Sequence, residues 1–227
     1  MTFNQLKMAL YATYLTNYYG FKLSGVTDNI VRKNARIEYS DKLLQKLNIQ
    51  IKILNLDKLP NNGQYLLISN HRTIIDPVIV ENITKHTDLH GDWIAKKELY
   101  NSFFFGKFVR NSGTILLDRE ASQMGGFFKD IKETVKGGGS IYIFPEGTRN
   151  KTDESISEFK DGSRIIAIKN RLPILPIFIR CRADKILKDA IKDSSINRTI
   201  EVEIGDIIDY KDKTLSLYDN YKKQFNL

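Results

Sequence analysis

Cysteine is nearly absent from the sequence: Cys181 stands alone, so no intrachain disulfide can form and a reducing compartment fits best. No apolar run approaches the roughly 20 residues that cross a bilayer. The first residues also lack the basic start and small-residue cleavage site of a signal peptide. There is no G-x-S-x-G elbow, and Gly162-Ser163 lacks the flanking pattern, so a serine hydrolase would have no activated nucleophile. His86 and His90 stand four apart, but Asp88 lies off their face and no H-E-x-x-H surrounds them, so no metal site is expected. No RNA-binding motif, internal repeat or low-complexity tract is present, and no nucleic-acid partner is expected.

What is there is an ordinary globular composition, 41% hydrophobic and 27% charged, over 227 residues, enough for one well-buried core. The net charge is +8, and residues 1–58 carry +5 of it, with nine Lys/Arg against four Asp/Glu. A basic first quarter suits an anionic partner such as lipid head groups, or is a solvated face. Within it, Met8 to Phe21 is uncharged and includes Tyr11, Tyr14, Tyr18, Tyr19 and Phe21, with Lys7 and Lys22 flanking. Tyrosine prefers the membrane–water boundary, so this segment reads as a helix lying in the interface of an anionic membrane. The competing reading is an aromatic helix packed on the core. The expected location is the cytoplasmic face of a membrane, peripheral or monotopic.

Residues 29–47 read as a second helix with Leu43, Leu44 and Leu47 inward and Arg32, Lys33, Arg36, Lys42 and Lys46 outward. Ile49, Ile51 and Ile53 alternate with polar residues, the period of a half-buried strand. Further strands are expected at residues 65–68, 93–96, 114–117, 141–144, 174–179 and 200–204. Helices are expected over 77–85, 103–109, 121–135 (stopped by Gly137-Gly138-Gly139), 162–169 and from about Leu215. Alternating strands and helices predict an α/β fold, a largely parallel central sheet flanked by helices, with an appended N-terminal pair of helices. The corresponding division is a helical membrane-interface segment, 1–48, and a catalytic domain, 49–227.

The stretch around which this chain is built is Tyr65 to Pro77. Four apolar residues end at Ser69 and Asn70, and His71 follows where open α/β sheets place their ligands. Asp76 is placed to cap the next helix, with Pro77 in its first position. Imidazole and carboxylate thus share one tight connection, and the carboxylate can take the proton of one ring nitrogen, leaving the other as a base. Lys96, Arg119 and Glu146 to Arg149 also directly follow strands. If those strands are parallel neighbours, one sheet edge gathers a His–Asp pair, a Lys and two Arg. Cations at that density repel unless an anion sits between them, and arginine forks suit phosphate.

Asn70-His71 with Asp76 resembles the HX4D motif of the glycerolipid acyltransferases. Phe144-Pro145-Glu146-Gly147-Thr148-Arg149 resembles that family's FPEGTR block, Lys96, Leu99, Gly106 and Arg119 its KX2LX6GX12R block, and Leu172 to Pro176 its late proline block. The resemblance covers residues 49–180 in order and spacing. Thr73 stands where serine is usual, and Ser102-Phe103 replaces a common proline. The resemblance implies that His71 is the general base on a glycerol hydroxyl and that Asp76 holds its tautomer. It implies that Lys96, Arg119 and Arg149 bind the acceptor phosphate while Glu146, Gly147 and Thr148 shape the acceptor site. The acyl donor would be a thioester on coenzyme A or acyl carrier protein, with no resident cofactor. The implied acceptor is lysophosphatidic acid; glycerol 3-phosphate and other lysophospholipids are alternatives, and a non-catalytic membrane binder is the rival from another class.

Overall fold

The computed structural model describes residues 2–118 and 124–227. Two helices open the chain, each started by its own sequence. Helix α1 (Phe3–Lys22) has a capping box, Thr2 accepting from the Gln5 backbone N–H while the Gln5 side chain accepts from Thr2 N–H. Helix α2 (Asn29–Leu47) begins at Asp28, whose Oδ1 accepts from Ile30 and Val31 N–H at 2.8 and 2.9 Å, and ends at Asn48 in the left-handed conformation.

Seven strands follow: β1 (Ile49–Leu54), β2 (Leu66–Ser69), β3 (Gly91–Lys96), β4 (Thr114–Leu117), β5 (Ser140–Ile143), β6 (Ile174–Ile179) and β7 (Arg198–Ile204). They form one sheet in the order β1-β7-β6-β2-β5-β3-β4. Strands β6, β2, β5, β3 and β4 are mutually parallel, while β7 runs antiparallel to β6 and takes β1 with it. The remaining helices are α3 (Asp76–Ile83), α4 (Gly106–Asn111), α5 (Gly125–Lys136), α6 (Gly162–Asn170), α7 (Ala183–Lys192) and α8 (Leu217–Phe225). Strand alternation divides the core. Leu67, Tyr142, Leu175 and Ile177 face a layer with α1, α2, α3 and α7; Leu66, Ile68, Ile141 and Ile174 face α5, α6 and α8.

Several expectations shift. Lys33 and Arg36 are buried rather than outward: Lys33 donates to the Thr87 carbonyl, and Arg36 pairs with Glu81 at 2.7 Å and also donates to Ser112 and Gly91 carbonyls. Burial of these cations is tolerated because each is hydrogen-bonded, Arg36 through most of its fork. Helix α4 is shorter than expected and is preceded by a 3-10 turn, Lys97–Asn101. Helix α7 was not expected at all. The expected helix start at Ala121 lies outside the described residues.

Helix α1 is split between two environments. Tyr19 and Leu15 are buried in the core, and Gly20 meets α4 so closely that a Cβ there would lie 2.8 Å from the Phe108 nitrogen. The other face leaves Phe3, Leu6, Leu10, Tyr14, Tyr18 and Phe21 exposed at helical spacing. At Phe21 this stripe touches Lys107 of α4, and the turn before α4 exposes Phe103 (85%) and Phe104 (53%). Among the described residues no helix is long and apolar enough to cross a membrane.

Arg36→Ala would leave the Glu81 carboxylate buried without its cation. A loss of about 3–5 kcal/mol is expected in urea unfolding. A loss below about 1 kcal/mol would show that the pair is not desolvated.

Candidate active site

Strands β2, β5, β3 and β4 are consecutive and parallel, so their carboxyl ends share one edge. His71 follows β2 directly, the 144–149 segment follows β5, and Lys96 ends β3, exposed. With strands about 4.8 Å apart, Lys96 stands about 10 Å across the sheet from the β2 end. Arg149 and Thr148, in the turn after β5, are also exposed. Arg119, expected after β4, lies outside the described residues.

His71 Nδ1 lies 2.8 Å from Asp76 Oδ2. The same carboxylate accepts from the Arg72 and Thr73 backbone N–H groups at 2.6 and 2.8 Å and from the Thr73 hydroxyl at 2.7 Å. An oxygen already accepting two N–H groups is an acceptor here, so Nδ1 carries the proton and Nε2 keeps its lone pair. Asp76 is fully buried and His71 mostly so. Asp76 does not cap α3 as expected. It is the first helical residue, Ile75 holds the cap position, and the carboxylate turns back to close the loop from His71.

Neighbouring groups lock this loop from three directions. Asn70 bonds the end of β6 reciprocally, its Nδ2 donating to Ile179 O at 3.1 Å and its Oδ1 accepting from Ile179 N–H at 2.8 Å. Tyr221 of α8 accepts from Asn70 N–H and donates to Ile177 O. Arg72 donates to the Thr152 carbonyl at 2.9 Å and to that of Glu154, and Asn150 N–H donates to His71 O at 2.7 Å, tying down the loop after the β5 turn.

Glu146 is buried, its Oε1 accepting from His71 N–H and its Oε2 from Ser157 N–H, both at 2.7 Å. Burial pushes its pKa up, opposed by those hydrogen bonds. Gly147 sits at φ +69° in a turn closed by its N–H on Phe144 O, a conformation that disfavours a side chain. The Phe144 ring stacks on the His71 imidazole, with centroids 4.0 Å apart and planes within 10°. Sequence reasoning left out Asn70, Arg72 and Phe144 as supports of the base. Two of them flank His71 and the third opens the Phe-Pro-Glu-Gly-Thr-Arg block, so the signal was adjacency to residues already singled out.

An imidazole with a fixed tautomer and a free nitrogen, at the carboxyl edge of a mostly parallel sheet whose neighbouring strands lead to exposed cations, defines a class of α/β protein suited to proton abstraction near an anion. The chain belongs to the Acyltransferase family, whose model matches residues 50–180, more than half of its length. It is 36% identical over 129 residues to a 1-acyl-sn-glycerol-3-phosphate acyltransferase of Helicobacter pylori, covering 56% of this chain and 53% of that protein. It is 32% identical over 136 residues to the protein of that name from Streptococcus pneumoniae, covering 60% and 49%. The matched stretch thus spans about half the length of these curated relatives. The crystal structure of a 1-acyl-sn-glycerophosphate (LPA) acyltransferase from Thermotoga maritima shares the fold, with a TM-score of 0.69 at 20% identity over 98% of this chain and 92% of that one.

Glu146→Gln offers one acceptor oxygen to two backbone N–H groups, so one of them faces an amide NH2. Stability should fall by about 1–3 kcal/mol. Because folding raises the Glu146 pKa, its titration adds stability that is present below the ordinary carboxylate value and is lost as pH rises through the folded value. The margin of wild type over Glu146→Gln in denaturant unfolding should therefore narrow from pH 4 to pH 7. A margin that widens would contradict this.

Proposed function

We propose that the chain transfers a fatty acyl group from an acyl thioester, on coenzyme A or acyl carrier protein, to the free hydroxyl of lysophosphatidic acid, giving phosphatidic acid. The observation that carries this is His71, held by Asp76 with Nε2 free, on the edge shared with the Glu146–Arg149 segment. The names of the relatives support the acceptor.

In the proposed reaction Nε2 of His71 takes the hydroxyl proton as the acceptor oxygen attacks the thioester carbonyl. The tetrahedral intermediate expels the thiolate, which recovers the proton from the imidazolium. Acyl–oxygen replaces acyl–sulfur, and the enzyme returns to its starting state without an acyl-enzyme. Asp76 stabilises the imidazolium that forms transiently. Lys96, Arg149 and Arg119 take the acceptor phosphate; Lys96 and Arg149 are exposed, and among the described residues no carboxylate pairs with either. Gly147 and Thr148, between Glu146 and Arg149 in the turn after β5, shape the acceptor site.

His71→Ala should abolish transfer between an acyl-CoA and lysophosphatidic acid while keeping a cooperative melt. Asp76→Asn should lose most activity, because an amide cannot replace a carboxylate that accepts from four donors. A His71→Ala protein retaining more than a few per cent of the wild-type rate would sink the mechanism. Arg149→Ala should lower kcat/KM on the order of tenfold to a hundredfold for lysophosphatidic acid and little for monoacylglycerol. Equal losses on both acceptors would discard the phosphate assignment.

The exposed apolar stripe of α1, with Phe103 and Phe104, supports a peripheral or monotopic seat on a membrane. These two phenylalanines follow the 3-10 turn that continues from β3, so the chain leaving the catalytic edge carries an exposed apolar surface. The full chain should sediment with anionic vesicles and be only partly released by high salt. Phe3→Ser/Leu10→Ser/Tyr14→Ser should bind markedly less while keeping the wild-type melt. Unchanged binding would assign this stripe another role.

A further inference from the structure

We propose that Trp93 is a positioning residue for the His71 imidazole, acting through Phe144 and anchored by the buried Glu81–Arg36 pair. This rests on the reading of His71 as the base.

The bond from Nδ1 to Asp76 fixes one edge of the imidazole but leaves the ring free to swing about that bond. The plane of the ring, and with it the direction of the Nε2 lone pair, needs a second constraint. Phe144 supplies a flat face to the imidazole at 4.0 Å and 10°. Phe144 in turn stacks on Trp93, with centroids 5.0 Å apart and planes within 27°. Three rings thus step across three neighbouring strands, from β2 over β5 to β3.

The far end of this column is held by charge. Trp93 Nε1–H donates to Glu81 Oε1 at 2.7 Å, and the same oxygen accepts from Arg36 Nε at 2.7 Å. Glu81 and Arg36 are both buried, so neither can leave without stranding the other. Glu81 lies on α3, the helix whose first residue is Asp76. Both restraints on His71 therefore return to one rigid element: Asp76 holds the ring edge, and Glu81, through Trp93 and Phe144, holds its face. Stacked aromatic pairs gain energy beyond the area they bury, which makes the column a restraint and not only filling.

The test compares Phe144→Leu, Phe144→Tyr and Trp93→Phe in the full chain, with histidine labelled for nitrogen and carbon NMR. His71 is one of three histidines, so its ring signals can be assigned by its own substitution. Phe144→Leu keeps an apolar side chain and loses the flat face. It should lower kcat about two- to tenfold, leave both KM values nearly unchanged, and broaden or shift the His71 ring signals. Phe144→Tyr should restore rate and signals, and Trp93→Phe should move both in the same direction by less. Unchanged His71 signals and kcat in both Phe144→Leu and Trp93→Phe would overturn the proposal, as would a loss confined to melting temperature. If Phe144→Leu fails to fold, Trp93→Phe decides on the same readouts. Should wild type transfer no acyl group to any acceptor offered, the base assignment falls, while the His71 signals still decide whether the column positions the ring.

Discussion

The Asp76 carboxylate has no solvent contact, and four donors converge on it: His71 Nδ1–H, the Arg72 and Thr73 backbone N–H groups, and the Thr73 hydroxyl. Burying an ionised carboxylate costs several kcal/mol unless its lone pairs are filled, and these four bonds fill them. The loop from His71 to Asp76 is therefore shaped around one group. Its backbone direction, the tautomer of the imidazole and the start of α3 all follow from where that carboxylate sits. A change at Asp76 does not remove a single contact; it releases the loop.

The sheet does the rest of the gathering. Five parallel strands place the ends of β2, β5 and β3 in line, and the proline-containing strand β6 is held by Asn70 at its carboxyl end. Glu146 joins the β5 turn to the His71 backbone, so the two motifs are one hydrogen-bonded unit although 75 residues separate them. Strands β1 and β7, parallel to each other and antiparallel to the rest, lie away from this edge and extend the core without contributing to the site. Rigid strands and short, saturated loops keep the reorganisation of a proton transfer small.

Much of this was legible in the sequence because it is local. Uninterrupted apolar runs marked β2, β5 and β6, alternation marked β1, and the order of strands and helices marked an α/β fold. The His71–Asp76 contact was legible because four intervening residues form one tight turn. What was missed depends on partners far along the chain. Lys33 and Arg36 read as surface charges on a helical wheel, and only Glu81 and the Thr87 carbonyl, on later elements, explain their burial. Capping logic placed Asp76 on its helix because that is the usual use of an aspartate before proline; the tertiary need of the imidazole and two loop N–H groups prevailed. Helix α7 is a different case, since Ala183, Ile186, Leu187, Ala190 and Ile191 already carry the helical period. The charged residues Asp184, Lys185, Lys188 and Asp189 between them mask that period.

The central claim is that the acceptor hydroxyl is itself the nucleophile and that His71 only moves its proton. Rapid mixing of the protein with an acyl thioester, first without and then with lysophosphatidic acid, tests it most directly. Thiol release should be negligible until the acceptor is added and should then match ester formation mole for mole. A burst of about one equivalent of thiol without acceptor, with an acyl group left on the protein by mass, would contradict it.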